Sequence, residues 1–146
     1  MYEKVLVPLD GSEIAECALP QVMNLAKEGM AREVTLLNVI EIPSAWVAEG
    51  LDFISLKNAQ FDKAQKYLAD LQSQLGSEGV KVKAEVVEGY AAQSIIDYAN
   101  NNSVNLIVIA THGYTGMKKL MFGSVALRVL HDAHVPVLLI RPESCR

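Results

Sequence analysis

Short apolar runs and amphipathic stretches alternate along the whole chain. Five runs are rich in aliphatic side chains and bounded by turn residues, which predicts β-strands at 4–10, 33–41, 80–89, 105–110 and 135–141. Between them, apolar residues recur every three to four positions, which predicts helices at 12–29, about 55–75, 91–102 and 123–133. This alternation is typical of an α/β fold, an open parallel sheet with helices on both faces.

The first predicted helix has clear ends and one weak point. Ser12 is placed to cap its start, and Gly29 is placed to close it. Pro20 lies inside this helix and has no backbone N–H to donate, so we expect a kink there.

Length and hydropathy bound the class of protein. The 146 residues suit a single domain, residues 1–146, with one buried core. The apolar share is 51%, but runs such as "LIVIA" and "VPVLLI" are far too short to cross a bilayer. The start, "MYEKVLVPLD", lacks the basic and apolar regions of an export signal. We therefore expect no membrane contact and a cytoplasmic location.

Charge and cysteine content exclude two further classes. The formal net charge is −4, and the basic clusters "KVK" and "KK" are too short for a nucleic-acid footprint. The two cysteines, Cys17 and Cys145, do not have the spacing of metal ligands. Neither nucleic-acid binding nor a metal site built by the protein alone is expected.

Two loops carry unusual chemistry, "PLDGS" after the first strand and "ATHGYTG" after the fourth. Ligands of open parallel sheets bind beyond the carboxyl ends of the strands, where the strand order reverses. If the first and fourth strands are neighbours, these two loops face each other across one crevice. The sequence therefore predicts a ligand site between them.

The long loop favours an anion such as phosphate. It contains Gly113 and Gly116 and leads through Gly123 to Ser124 at the predicted start of the last helix. Glycine lets backbone N–H groups approach a ligand, and a helix N-terminus attracts negative charge. Residues 104–130 contain no acidic side chain. The alternative interpretation is ordinary turn chemistry before a helix.

The short loop contributes Asp10. A carboxylate at this place can accept hydrogen bonds from a ribose or a base, or help to hold a divalent cation beside phosphates. The alternative role is to cap the first helix or its turn. A hydrolytic triad is not predicted, because no G-x-S-x-G motif occurs and the three histidines have no matched acid.

The segments "KVLVPLDGSEIAECAL" and "IVIATHGYTGMKKLMFGSVALRVLHDAHVPVLLIRP" resemble the universal stress protein family, and the resemblance spans essentially the whole chain. The nucleotide motif of that family is G-x-x-G, nine residues, then G-[ST]. Gly113 matches its second glycine, "YTGMKKLMF" supplies the nine residues, and Gly123 with Ser124 completes it. Ala110 stands where the motif has its first glycine, and alanine cannot take a positive φ without strain.

The resemblance implies a Rossmann-like sheet of five parallel strands in the order 3-2-1-4-5. It also implies that ATP, or AMP or ADP, lies between the ends of the first and fourth strands, with Mg²⁺ or Mn²⁺ beside the phosphates. Pro8, Asp10 and Val39 would surround adenine and ribose. The start of the long loop would be lined by Ile109, Ala110, His112 and Gly113. The phosphates would be bound by Gly123, Ser124, Val125 and Ala126.

A homodimer is implied as well, formed by pairing of the edge strands Val135–Ile140. The sequence agrees, because an apolar edge strand left bare is an aggregation hazard. A covering by the C-terminal tail "PESCR" is the alternative.

Three functions remain open at this point. In the first, the protein is a stress-response sensor whose nucleotide-dependent state is read by a downstream protein partner. In the second, it is a slow ATP hydrolase or phosphotransferase, although the long loop has lysines but no carboxylate to activate an attacking group. In the third, suggested by Ala110 alone, it is a nucleotide-free dimeric scaffold. No catalytic residue is predicted, and at most a weak ATPase activity is expected.

Overall fold

The computed structural model describes residues 1–45, 52–111 and 121–141, apart from the side chains of residues 121 and 122. The strands in these residues are β1 Tyr2–Pro8, β2 Ala31–Ile40, β3 Val82–Glu88, β4 Leu106–Ala110 and β5 Val137–Ile140. The main helices are α1 Glu13–Glu16, α2 Leu19–Lys27, α3 Phe53–Gly76, α4 Ala91–Asn101 and α5 Met121–Asp132.

The strands form one sheet in the order β3-β2-β1-β4-β5, and every pair is parallel. The α/β fold expected from the sequence and the strand order implied by the family resemblance are thus confirmed. From β1 the chain adds β2 and then β3 on one side of the sheet, and it adds β4 and then β5 on the other side of β1. The strand order therefore reverses between β1 and β4, which is where open sheets of this kind bind ligands.

The reversal of strand order also determines which helices lie on each face of the sheet. Right-handed crossovers place α1, α2 and α3 on one face of the sheet and α4 and α5 on the other. In agreement, α3 packs against β2 and β3, while α4 and α5 pack against each other. Both faces of the central strands are covered, and every residue of β4 is buried. Burial on both faces explains why the "LIVIA" run is continuously apolar.

The first predicted helix is divided in two at Pro20. Helix α1 ends at Glu16 and α2 begins at Leu19, so the proline occupies the second position of a new helix, where its missing N–H has no helical partner to lose. The predicted kink is therefore a complete break. The predicted ends are confirmed: Ser12 Oγ accepts from the Ala15 N–H at 3.1 Å, and Gly29 closes α2 with a φ of +76°.

The last helix begins earlier than the sequence predicted. Helix α5 starts at Met121, so Gly123 and Ser124 lie within its first turn and do not precede it. The periodicity of the run after Gly123 marked the amphipathic part of the helix, but the turn before it carries no such signal.

Among the helices of the described residues, none is long and apolar enough to span a membrane.

Candidate functional site

A small cavity lies at the carboxyl ends of β1 and β2, on the face of the sheet that α4 and α5 cover. Its volume is about 200 Å³. Its walls are mostly apolar, with one carboxylate on each strand end. It is lined by Pro8, Leu9, Asp10, Leu37, Val39, Glu41, Ala91, Ile95 and Val125. Four predicted site residues, Pro8, Asp10, Val39 and Val125, are therefore brought together here.

A larger cavity of about 490 Å³ opens at the same strand ends, on the face that α3 covers. It shares Asp10, Val39 and Glu41 with the small cavity, so these residues separate the two. Its lining is more polar. It consists of Asp10, Gly11, Asn38, Val39, Ile40, Glu41, Pro43, Gln60, Lys63, Ala64 and Tyr67.

The end of β1 is fixed to its neighbour by two hydrogen bonds. The Leu9 N–H donates to the Leu37 carbonyl at 2.8 Å, which extends the β1–β2 ladder by one residue. The Asn38 side-chain amide donates to the Leu9 carbonyl at 2.9 Å. Asp10 thus follows a strand end that is held firmly in place, even though it lies two residues beyond β1.

Asp10 organises the turn that leads into α1. Its Oδ1 accepts from the Ser12 backbone N–H at 2.9 Å and from the Ser12 hydroxyl at 2.6 Å. Gly11, between them, has a φ of +90°, a conformation that favours glycine. The turn-capping alternative is therefore confirmed. It occupies only one carboxylate oxygen, and within the described part of the chain no group donates to Oδ2.

Glu41 is a site residue that the sequence reasoning missed. Its Oε2 accepts from the Ala91 N–H at 2.8 Å and so caps the start of α4, where Tyr90 offers no side-chain cap. It lies at the wall of both cavities. The available signal was its position directly after a buried strand, the same signal that identified Asp10.

The start of α5 lies beside the small cavity. Val125 lines the cavity, Gly123 is half-buried and Ser124 is exposed. The first N–H groups of a helix have no partner within the helix, and this turn carries no acidic residue. The cavity therefore ends beside a region that favours an anion.

Three predicted site residues lie in the core. Ile109, Ala110 and Ala126 have no exposed surface and line neither cavity. Ala110 ends β4 and pairs with Ile140. Of the non-glycine residues that the structure describes, only Ser103 has a positive φ. Alanine at the first glycine of the motif therefore causes no backbone strain. His112 and Gly113 lie outside the described residues.

Comparison with known proteins places this chain in a family. The chain matches the universal stress protein family over residues 1–141. It belongs to that family. This universal stress protein is 34% identical over 144 residues to universal stress protein MJ0531 of Methanocaldococcus jannaschii, which covers 97% of this chain and 83% of the relative.

Solved structures show the same fold. The structure of protein MJ0577, also from M. jannaschii, is 35% identical with a TM-score of 0.82, covering 97% of this chain and 96% of that one. Universal stress protein UspA from Lactobacillus plantarum is 25% identical with a TM-score of 0.79, covering 96% and 98%.

Two more distant structures of the fold contain nucleotides. A universal stress protein in complex with cAMP is 18% identical, with a TM-score of 0.72 and coverage of 95% and 97%. The universal stress protein from Archaeoglobus fulgidus in complex with dAMP is 23% identical, with a TM-score of 0.64 and coverage of 95% and 98%.

The side chains near the cavities do not form a metal site by themselves. Among the described residues, no group of three or more His, Cys, Asp or Glu side chains is placed to hold a metal ion. A divalent cation could still be held by one carboxylate together with the phosphates of a nucleotide, the arrangement that Mg²⁺ commonly adopts. Asp10 fits that role through Oδ2.

Proposed function

We propose that this universal stress protein binds ATP or another adenine nucleotide in the small cavity and acts as a nucleotide-responsive sensor. One observation carries the proposal: an apolar cavity at the ends of β1 and β2, beside the point where strand order reverses, has two different walls. One wall carries the Asp10 carboxylate, of which the described residues engage only Oδ1, and the other carries Val125 near the start of α5. An apolar pocket with a few placed polar groups is the usual form of a small-molecule site.

The base and ribose fit the apolar end of the cavity. Leu37, Val39 and Ile95 provide aliphatic surface for a planar base. Asp10 and Glu41 can accept hydrogen bonds from ribose hydroxyl groups or from the adenine amino group. Without a cation between them, the carboxylates would repel phosphate, so the phosphates are expected to extend past Asp10 towards the opposite wall.

The phosphates are then directed towards the first turn of α5. Gly123 and Ser124 lie in this turn, directly before Val125 at the cavity wall. The helix dipole adds favourable electrostatics for an anion. Mg²⁺ or Mn²⁺ would accompany the phosphates, with Asp10 Oδ2 as its protein ligand. Such an ion would neutralise phosphate charge near the carboxylate.

The proposed contacts fall into two groups. Those supported by their position around the cavity or its closing helix turn are Pro8, Asp10, Val39, Gly123, Ser124 and Val125. Those that rest on the family resemblance alone are Ile109, Ala110, His112, Gly113 and Ala126.

Binding, with hydrolysis at most slow, is the activity that the described residues favour. Phosphoryl transfer needs a group that positions or deprotonates the attacking oxygen. Asp10 is the acid nearest the proposed phosphates, and its Oδ1 is already engaged by Ser12. The cAMP and dAMP complexes of the distant relatives support recognition of an adenine nucleotide by this fold and carry no triphosphate. A downstream protein in the cytoplasm would read the bound state.

Isothermal titration of the purified protein with Mg-ATP and with AMP tests the proposal. We expect saturable binding with a Kd below about 1 mM. Asp10→Asn keeps an oxygen for Ser12 but removes the charge that Oδ2 offers to the ligand. Because hydrogen bonds to charged groups are the stronger ones, the variant should bind about tenfold more weakly.

Asp97→Asn is the matched control. Asp97 is exposed on α4, accepts from Gln93 at 2.8 Å and lines neither cavity. Its variant should bind like the wild type. Absence of heat from wild-type protein with both nucleotides at millimolar concentration would refute the proposed function, and equal loss in both variants would refute the placement of the ribose.

We also infer that the protein forms a homodimer through β5. This strand is at the edge of the sheet, and Leu138 on it is 38% exposed. On the neighbouring α5, Leu127 and Leu130 are 62% and 46% exposed. The unpaired backbone groups of an edge strand with apolar side chains are a ready template for pairing with another chain. Light scattering should give about twice the 15.9 kDa of one chain.

Leu138→Lys should shift the protein to a single chain, because a charge on the strand would be buried in the interface. Ile54→Lys, at a 69% exposed position on α3, should leave the mass of the assembly unchanged. A single-chain mass for the wild type at micromolar concentration would contradict the inference.

A further inference from the structure

One phenol oxygen joins three separate segments beside the site. Tyr67, in the middle of α3, donates from its hydroxyl to Glu16 Oε2 on α1 at 2.5 Å. Gly11 lies beside this hydroxyl, and Gly11 and Tyr67 line the same cavity. Helix α3, helix α1 and the turn after β1 therefore meet at one half-buried hydroxyl group.

The hydroxyl is fixed as a donor towards Glu16. Burial raises the pKa of Tyr67 far above the usual range of a phenol, and the neighbouring carboxylates of Glu16 and Asp10 raise it further. The group therefore remains protonated at every pH at which the protein is handled. A neutral hydroxyl keeps its proton for the hydrogen bond to the Glu16 carboxylate.

The segment held by Tyr67 is the one that carries Asp10. The turn consists of Asp10, Gly11 and Ser12, and its internal hydrogen bonds all run through Asp10 Oδ1. Those bonds fix the shape of the turn but not its position relative to the rest of the molecule. The preceding residue is fixed by β2, and the link to Tyr67 fixes the far side of the turn to α3.

Tyr67 itself does not reach the proposed nucleotide cavity. It lines the larger cavity on the α3 face and is absent from the walls of the small one, whereas Asp10 belongs to both. Any influence of Tyr67 on a ligand in the small cavity must therefore pass through the turn. Tyr67 would therefore act by positioning the turn and not by contacting the ligand.

We propose that Tyr67 is a positioning residue for the proposed nucleotide site: by binding Glu16 on α1 and lying beside Gly11, it holds the Asp10 carboxylate where Oδ2 can meet the ribose or the cation beside the phosphates. This role rests on the proposed nucleotide function. Its physical basis is preorganisation, since a turn that is already held loses less conformational freedom when a ligand binds. The loop also contains a glycine, which would otherwise sample many conformations.

The experiment combines nucleotide titration with amide hydrogen exchange in the ligand-free protein. Tyr67→Phe removes only the hydroxyl. We expect its affinity for AMP to fall about five- to tenfold, as the loss of one hydrogen-bonded link would give. In the ligand-free variant, the amides of Gly11 and Ser12 should exchange about tenfold faster, because the turn opens more often.

Three comparisons separate positioning from general loss of stability. Glu16→Gln keeps an acceptor oxygen for the hydroxyl and should bind like the wild type. Tyr98→Phe is the matched control, since Tyr98 is also half-buried and lines neither cavity. It should change neither affinity nor exchange at the turn. In an Asp10→Ala background, Tyr67→Phe should cost no further affinity, because its effect acts through Asp10.

The outcomes separate the two proposals. Weaker binding with faster exchange at Gly11 and Ser12 supports the role of Tyr67. Unchanged exchange at these two amides overturns it, as does an additive loss of affinity in the Asp10→Ala background. If the wild type binds no nucleotide, the proposed function fails, and the exchange measurement alone then decides whether Tyr67 holds the turn.

Discussion

Val125→Trp is expected to abolish nucleotide binding. Val125 lies in the second turn of α5 and lines the small cavity together with the ends of β1 and β2. The cavity has a volume of only about 200 Å³, so an indole ring at this position would occupy the space proposed for the base. Affinity for AMP and ATP should fall by at least about 100-fold, a loss of about 3 kcal/mol.

Leu127→Trp provides the control on the same helix. Leu127 is 62% exposed and lines neither cavity, so the same large side chain projects into solvent or into the proposed dimer interface. Titration should show wild-type affinity, and both variants should melt cooperatively. If Val125→Trp is folded and still binds nucleotide as the wild type does, the base is not in the small cavity and the site has been misplaced.

The sheet could be predicted from the sequence because burial and topology left a strong pattern. A run such as "LIVIA" is fully apolar only when both faces of the strand are covered, and β4 is buried throughout. The strand order itself came from the family resemblance. Periodicity alone fixes the alternation of strands and helices, but it does not decide which strands are neighbours.

The ends of elements were less predictable, because they depend on single residues and on contacts from elsewhere. Pro20 was recognised as a helix breaker, but whether it kinks a helix or starts a new one depends on the packing of the flanking turns. The start of α5 at Met121 was missed for a related reason. The first turn of a helix has little amphipathic signal, and capping chemistry can begin a helix before the periodic segment does.

Within the site, residues next to strand ends could be predicted, and residues from distant helices could not. Asp10 was expected because it follows the carboxyl end of the first strand, beside the reversal point. Val39 was expected from the family resemblance. Tyr67 gave no such signal, since at helical spacing a tyrosine among leucines reads as an ordinary core position. Only the fold brings its hydroxyl oxygen to 2.5 Å from Glu16 Oε2, because the two residues are 51 positions apart in the chain.

Ala110 shows how a motif can differ without losing its structural basis. The glycine that the family motif has at this position suggests a positive φ, so alanine there suggested backbone strain. The residue is the last in β4, is fully buried and pairs with Ile140 as an ordinary strand residue does. Its methyl group adds to the core. The scaffold alternative, which depended on Ala110 alone, therefore loses its conformational argument.

Ile107→Ala is expected to destabilise the protein by about 3 kcal/mol, within the usual range for an aliphatic side chain cut to alanine in a core. Ile107 has no exposed surface and lies on β4, between Leu6 of β1 and Val137 of β5. Both faces of the sheet are closed by helices at this level, so the cavity left by the missing atoms cannot be filled by a small shift. For a chain of this length, the melting temperature should fall by roughly 6–12 °C.

The same substitution at an exposed site isolates the effect of burial. Ile54, in the first turn of α3, is 69% exposed, so Ile54→Ala removes the same atoms without leaving a cavity. Its free energy of unfolding should differ from that of the wild type by less than about 0.5 kcal/mol. Denaturant unfolding with an unchanged m-value gives the comparison directly. A loss below about 1 kcal/mol for Ile107→Ala would mean that β4 is not packed at the centre of the core, and the placement of the site beside it would then have to be revised.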